Sequence, residues 1–442
     1  MRVVSGEWRH LLLPLALVVS GAVARAQDAL GAEEQPQVQQ RSIEDLNLVG
    51  AETAMPPFVE SPIDIDSAFR QAPLRGGIAL RGILQGSYSQ NALQAPVPAD
   101  QQKYVGEREF AGLMTNWTLT WDLRQLHLEH AQLYVCGVWN WVSWKPAGPS
   151  STQIYGLYLY KSFADALVEV KAGYIGNNLE VIGLTVGGST ATGAQGVYAV
   201  LPYELGLSYF PMTAPSLNVR LRGPRHTYFK VVEQRSLDPR GGPTEVARNR
   251  SGLRFDPKGD QLLSLGEAGY WRAASAAGRE TWLRAGCMYN STAYASLDTG
   301  KKESGNTAAF ALVDHQLRQP DALHPERGLY LGGTAMMADS RFNAYDRYYE
   351  LRLYQKAPFR RRPSDMASLV ASYTHHSQYL TDTLAAAGQT VWRHSASLTG
   401  SYSLRVHPGQ YLSIGLSYLY GPTITPRAWD ALVFAVSYTM FI

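Results

Sequence analysis

The sequence predicts an all-β fold: a transmembrane antiparallel β-barrel of about 16 strands with a mostly disordered N-terminal leader. Three observations carry this. An export signal opens the chain, polar and apolar residues alternate from Gly77 to the C-terminus, and the composition suits a lipid-facing sheet. Gly (40), Tyr (26) and Trp (10) are abundant, while charged residues make up 17%, below the ~25% of ordinary soluble chains. Mean hydropathy is -0.19, and no long apolar run occurs beyond the N-terminus, which argues against spanning helices. Lys+Arg 40 against Asp+Glu 37 leaves a net charge of +3, without the basic excess of a nucleic-acid protein. Two cysteines exclude a disulfide scaffold or a multi-cysteine zinc site.

Residues 1–26 read as a signal peptide. Arg2 and Arg9 precede and flank the apolar run Leu11 to Val19, and Ala24-Arg25-Ala26 is a small-x-small cleavage site before Gln27. Residues 27–76 form a periplasmic leader rich in Gln, Glu, Pro and Ala, without sustained periodicity apart from a short helix expected near Ser42 to Leu46. Export and a closed barrel together place residues 77–442 in the outer membrane of a Gram-negative bacterium.

From Gly77 onward, segments of alternating character are separated by Gly, Pro, Asn and Asp. Leu113, Thr115, Trp117, Leu119, Trp121 and Leu123 share one face, against Asn116, Thr118, Thr120, Asp122 and Arg124 on the other. Val168, Val170 and Ala172 alternate with Glu169 and Lys171, and Leu217, Val219 and Leu221 with Asn218, Arg220 and Arg222. Ala396, Leu398, Tyr402 and Leu404 alternate with Ser395, Ser397, Thr399, Ser401 and Arg405. The last segment places Leu432, Phe434, Val436, Tyr438, Met440 and Ile442 outward and Phe441 inward. No fixed-length repeat supports a β-helix or propeller. The tract Gln234 to Gln261 is expected to be a long loop, because Asp238-Pro239-Arg240-Gly241-Gly242-Pro243 cannot continue a ladder.

Several blocks resemble the carbohydrate-selective porin (OprB-like) family. They are Gly156 to Asp165 leading into Val168–Gly173, Gly252-Leu253-Arg254-Phe255, Glu267-Ala268-Gly269-Tyr270, Arg327-Gly328-Leu329-Tyr330, Arg362-Pro363-Ser364-Asp365, and Pro408 to Tyr418 with Asp430-Ala431-Leu432-Val433. The stretch from Asn177-Asn178-Leu179 to Gly188 departs from the family's usual continuation. The resemblance implies a 16-stranded barrel and passive diffusion of small sugars through a narrowed pore. The residue pattern alone supports a barrel with a polar lumen, and leaves open a channel for other solutes or for polysaccharide export.

A neutral sugar needs donors and acceptors to replace its hydration, and no catalyst; many weak sites pass a solute that one tight site would trap. Arginine suits the task with its planar set of donors. Alternation places Arg81, Arg124, Arg220, Arg222, Arg284, Arg352 and Arg405 on polar faces, with Asp122, Glu169 and Glu350. A lipid-facing Arg at mid-membrane costs ~2–4 kcal/mol, which favours the lumen. Arg220, Arg222 and Arg284 are the leading candidates for the constriction. No catalytic, metal-binding or cofactor-binding residues are expected: G-x-S-x-G and H-E-x-x-H are missing from the sequence, and adjacent strand residues His375-His376 point to opposite faces. Cys136 and Cys287 read as separate structural thiols. Arg360-Arg361-Arg362 reads as a solvated turn or a lipopolysaccharide contact. The expected partners are small sugars, outer-membrane lipid and lipopolysaccharide, and the barrel assembly machinery during insertion.

Overall fold

The structure, a computed structural model, describes residues 62, 72–73, 75–93, 97–148, 150–181, 201–256, 261–425 and 430–442. The expected signal peptide and most of the leader lie outside the described residues. Sixteen strands form the wall. The first half comprises β1 (Ile78–Asn91), β2 (Phe110–Asp122), β3 (Ala131–Val142), β4 (Ser151–Phe163), β5 (Val168–Ile175), β6 (Ala214–Arg222), β7 (Thr227–Arg235) and β8 (Leu262–Arg272). The second half comprises β9 (Thr281–Asn290), β10 (Asn306–Arg318), β11 (Gly328–Ala338), β12 (Tyr345–Lys356), β13 (Met366–His376), β14 (His394–His407), β15 (Gln410–Tyr420) and β16 (Asp430–Phe441). Each pairs antiparallel with its chain neighbour, and β1 pairs with β16 to close the ring. At the seam the Ile442 N–H donates to the Gly82 carbonyl at 2.8 Å, and the Gly82 N–H donates back at 2.9 Å. Closure of this kind satisfies every ladder group without water.

The alternation sets the two faces as expected. Trp117, Leu283 and Leu351 point out of the ring and are 49%, 45% and 58% exposed. Phe434 and Tyr438 share that face, while Phe441 turns inward and meets Tyr411 edge-on at 5.8 Å. Cys136 faces in and is buried, and Cys287 faces out and is exposed. They sit on different strands, and both are free thiols.

The two rims differ. The chain ends share one rim with seven connections, none longer than nine residues: 123–130, 164–167, 223–226, 273–280, 319–327, 357–365 and 408–409. The other rim carries the long connections 92–109, 176–213, 236–261, 291–305 and 377–393, with three shorter ones, 143–150, 339–344 and 421–429. In outer-membrane barrels the short turns face the periplasm. The Arg360-Arg361-Arg362 turn lies on that short-turn rim, with Arg360 and Arg361 exposed as a solvated turn requires. Arg124 also departs from expectation. Strand β2 ends at Asp122, and residues Leu123–Leu126 wind into a 3-10 turn. The cause is local: the Asp122 carboxylate accepts the Arg124 backbone N–H at 3.1 Å and its side-chain Nε–H at 2.7 Å, so alternation stops there.

The tract after β7 is a long connection, as its Pro and Gly residues require, and it is ordered by charge. Helix α3 (Gly242–Arg248) brings Glu245 to Arg235 at 2.6 Å. Asp238 receives Arg240 at 2.9 Å and also Arg248. Burial alone would raise the Asp238 carboxyl, but these guanidinium hydrogen bonds win and bring it down to about 2.

The lumen is not polar throughout. Val232, Leu263, Leu265, Met288, Phe310, Leu312, Met336 and Tyr348 make an apolar strip across β7–β12, on the inner face. It is covered by Val181, Leu201, Leu205 and Leu207 of the β5–β6 connection, which folds inward with two short helices, α1 (Asn178–Val181) and α2 (Leu201–Glu204). The β1–β2 connection also turns in: Tyr104 packs on Leu419, Ala431 and Val433.

Candidate functional site

The inner face presents two unlike walls, half a ring apart in strand order. The first runs over β5–β9. On β6, Arg220 lies over the Tyr228 ring at 4.5 Å. The Tyr228 hydroxyl donates to Glu267 at 2.8 Å and accepts from the Trp282 indole N–H at 3.0 Å. Arg284 stacks on Trp282 at 3.6 Å, and Trp271 lies 6.3 Å from that ring. The result is a continuous run from Arg220 through Tyr228 and Trp282 to Arg284. Gly269 makes room for it, because a Cβ there would collide with the Tyr228 ring. Arg222, two residues from Arg220, pairs with Glu169 at 3.1 Å, and Glu169 also accepts the Tyr160 hydroxyl at 2.7 Å.

All three leading arginines therefore point inward, but in different roles. Arg220 is half-buried and Arg222 exposed. Arg284 is only 4% exposed and donates to the Val181 carbonyl at 3.0 Å. It pins the end of α1 instead of presenting donors to the open lumen. Lys171 and Lys230 join it there. Lys171 binds the Glu180 carboxylate at 2.8 Å, and Lys230 donates to the Glu180 carbonyl while lying 3.7 Å from Glu267. Three cations from β5, β7 and β9 thus hold one turn of the inward connection.

At the other end of that connection, Glu204 reaches β12 and accepts the Tyr345 N–H at 3.2 Å. Burial pushes the Glu204 carboxyl up to about 8, against the smaller pull of hydrogen bonds from the Tyr345 and Ala344 backbone.

The remaining candidates are wall residues. Arg352 is 2% exposed and its two terminal nitrogens are engaged, with Glu350 at 2.6 Å, Asp314 at 3.1 Å and Thr334 Oγ1 at 2.6 Å. Gly332 lies beneath it, where a Cβ would strike Asp314 and the guanidinium. Asp122 and Arg124 pair at the rim. Arg405 faces inward on β14, and its backbone N–H is held by Asp365 at 2.9 Å. Arg81 faces inward on β1, opposite Thr118.

The second wall carries hydroxyls. Across β13–β15, Ser368 meets Ser401 at 2.8 Å, Ser372 meets Ser397 at 2.6 Å, Thr399 meets Ser417 at 2.5 Å and Ser403 meets Ser413 at 2.9 Å. Thr399–Ser417 and Ser403–Ser413 are buried, while the half-buried Ser368–Ser401 and Ser372–Ser397 hydroxyls, each able to donate and accept, can exchange a protein partner for a solute hydroxyl. His376 closes this wall toward the long-loop rim: it is buried, with Nδ1 at 2.7 Å from the Trp392 carbonyl and Nε2 at 2.9 Å from Ser395. Among the described residues no cluster of His, Cys, Asp or Glu could hold a metal.

Sequence reasoning missed Tyr228, Lys230, Glu267, Trp271, Trp282 and Asp314. Parity would have found them, since each shares the inward set of its strand. The serine pairs were visible as the polar set of β14, without their partners.

The family model described as "Carbohydrate-selective porin, OprB family" matches residues 147–440. No curated protein matches. Among solved structures, Pseudomonas putida OprB at high pH aligns with a TM-score of 0.70 and 15% identity, covering 85% of this chain and 96% of that one. The same protein at low pH aligns with a TM-score of 0.55 and 13% identity, covering 86% and 98%. These likenesses are likenesses of fold. Because the family model spans well over half of the sequence, on a barrel that closes with sixteen strands, the chain belongs to the carbohydrate-selective porin (OprB) family.

Proposed function

We propose that this porin passes small sugars by letting them slide between the cation–aromatic wall of β5–β9 and the hydroxyl wall of β13–β15. The observation that carries the proposal is the opposition of those two walls across the ring. A pyranose has equatorial hydroxyls at its edge and C–H groups on its faces. Ser and Thr hydroxyls replace the water lost at the edge, and the Trp and Tyr rings accept the C–H faces. Arg220 and Arg222 add donors, while Glu169 and Glu267 keep the local charge low. Near-neutral walls give an ion no strong well, and spread the sugar's contacts over many weak positions. The inward connection narrows the path because three cations and an apolar strip hold it against one side of the wall.

Proteoliposome swelling with neutral hexoses, compared with amino acids of equal size, tests the reading. The wild-type channel should favour the hexose. Replacing Ser368, Ser372, Ser397 and Ser401 together with Ala should lower hexose entry several-fold and leave salt conductance within about two-fold, since hydroxyl exchange and not pore width is what changes. Equal loss of both would count against the hydroxyl wall.

A further inference from the structure

The short-turn rim holds an uncompensated block of positive charge. Four successive connections, from β6–β7 to β12–β13, form an arc. Residues 223–226, 272–280, 318–327 and 356–365 contain nine Lys or Arg and four Asp or Glu. Every one of those four acids is already matched. Glu280 pairs with Lys356 at 3.7 Å, Asp321 and Glu326 with Arg327 at 3.8 and 3.7 Å, and Asp365 with Arg362 at 2.6 Å. Arg225, Arg279, Arg318, Arg360 and Arg361 are all exposed, and among the described residues none has an ion-pair partner. On the opposite rim Arg235, Arg240, Arg248 and Arg341 pair with carboxylates, while Arg250, Arg254, Lys301 and Lys302 are exposed without an ion-pair partner among the described residues.

The same chain supplies the complementary charge. Residues 27–61 contain seven Asp or Glu and one Arg. The chain enters the barrel on the arc's rim, where the Asp122 N–H donates to the Gly77 carbonyl at 2.8 Å. Sixteen strands at about 4.8 Å spacing and about 40° tilt give a ring roughly 30 Å across. Residues 72–73 and 75–77 wind into a helical turn, and the stretch from 61 to 72 can span roughly 35 Å when extended, about the width of the ring, so the acidic segment can reach the turns of the arc.

We infer that the acidic segment 27–61 docks on the arginine arc of its own barrel. Five exposed guanidinium groups on one arc of a rim raise the local positive potential, and a tethered polyanion is drawn to it at an effective concentration set by the tether. The contact is electrostatic and shallow, so salt should weaken it. It does not rest on what passes through the pore.

The test uses the mature full chain in lipid nanodiscs, with Cys287→Ser to remove the exposed thiol. Spin labels are placed at Ser42→Cys and at Ala277→Cys, which is exposed in the 273–280 turn. Dipolar distance measurement at about 50 mM salt should show a short, narrow population that broadens outward at about 500 mM. The variant R225Q/R279Q/R318Q/R360Q/R361Q, and the reciprocal E33Q/E34Q/E44Q/D45N, should each lose that population at low salt. Strand-rich circular dichroism shows that each barrel is intact. A broad distribution that neither salt nor either variant alters overturns the inference. So does a broad distribution together with salt-sensitive retention of added polyglutamate by the unmodified arc, which would assign the arc to an acidic partner from outside the chain.

Discussion

Arg220 shows what one lumen side chain contributes. Its guanidinium sits on the Tyr228 ring, half-buried, beside a wall path that Arg284 has left by turning under the inward connection. Replacing Arg220 with Gln should cost a passing sugar about 1 kcal/mol of favourable contact, or about five-fold in flux at low concentration, measured by swelling rate. Glu204 gives a pH signature. Its carboxyl in the folded protein lies at about 8, above the ordinary 4.5. A raised acid binds its proton more tightly in the docked state, so docking is strongest below pH 4.5 and weakens as pH rises toward 8, by up to about 1.4 kcal/mol per unit. Hydrogen exchange at residues 201–207 should therefore accelerate between pH 5 and about 8, and Glu204→Gln should flatten the dependence. At this scale the sequence was half legible. Parity assigns Arg220, Arg222, Arg284, Glu169, Glu350 and Arg352 to the polar face of their strands, and Arg220, Arg284 and Arg352 make contacts there with Tyr228, Val181 and Asp314. It could not show that Arg284 would be covered, because burial depends on a connection that approaches from elsewhere in the chain. It misplaced Arg124 because a carboxylate two residues earlier ended the strand.

At the scale of the element, β-strands were the legible part, since period-two patterning is a local signal and closure of the ring follows from it. The inward connection was not legible. Its anchors, Lys171, Lys230 and Arg284, lie on three strands, and each reads locally as one more polar wall residue. The apolar strip beneath it, from Val232 to Tyr348, also breaks the rule that inward positions are polar, and alternation offers no reason for it. Glycines in the strands are the complementary clue. Tyr228 lies flat because Gly269 has no Cβ, so Gly269→Val should push the ring into the lumen. The expected results are a loss of about 1–3 kcal/mol of stability from overpacking, seen as a lower temperature for heat-modified gel mobility, and a smaller single-channel conductance.

The whole molecule depends on one seam. Strand β16 meets β1 through the Gly82–Ile442 exchange, with Phe441 packed beneath it at 4% exposure against Tyr411. Removing that ring by Phe441→Ala should cost about 3–5 kcal/mol. It should lower the temperature at which the folded band disappears on electrophoresis, more than the same change at outward Phe434 does. The seam also joins residues more than 340 positions apart, and the inward connection obeys a related logic. The surface it rests on comprises β7 through β12, all of which come later in the chain than the connection itself. That surface does not exist until five further hairpin pairings have been made. Assembly therefore has an order written into it. The connection can settle only once β12 is in place, and the ring itself closes only when β16 reaches β1. A sheet halted before β12 would have neither a seam nor a seated connection, so the narrowing of the bore and the closing of the wall both belong to the last third of the chain.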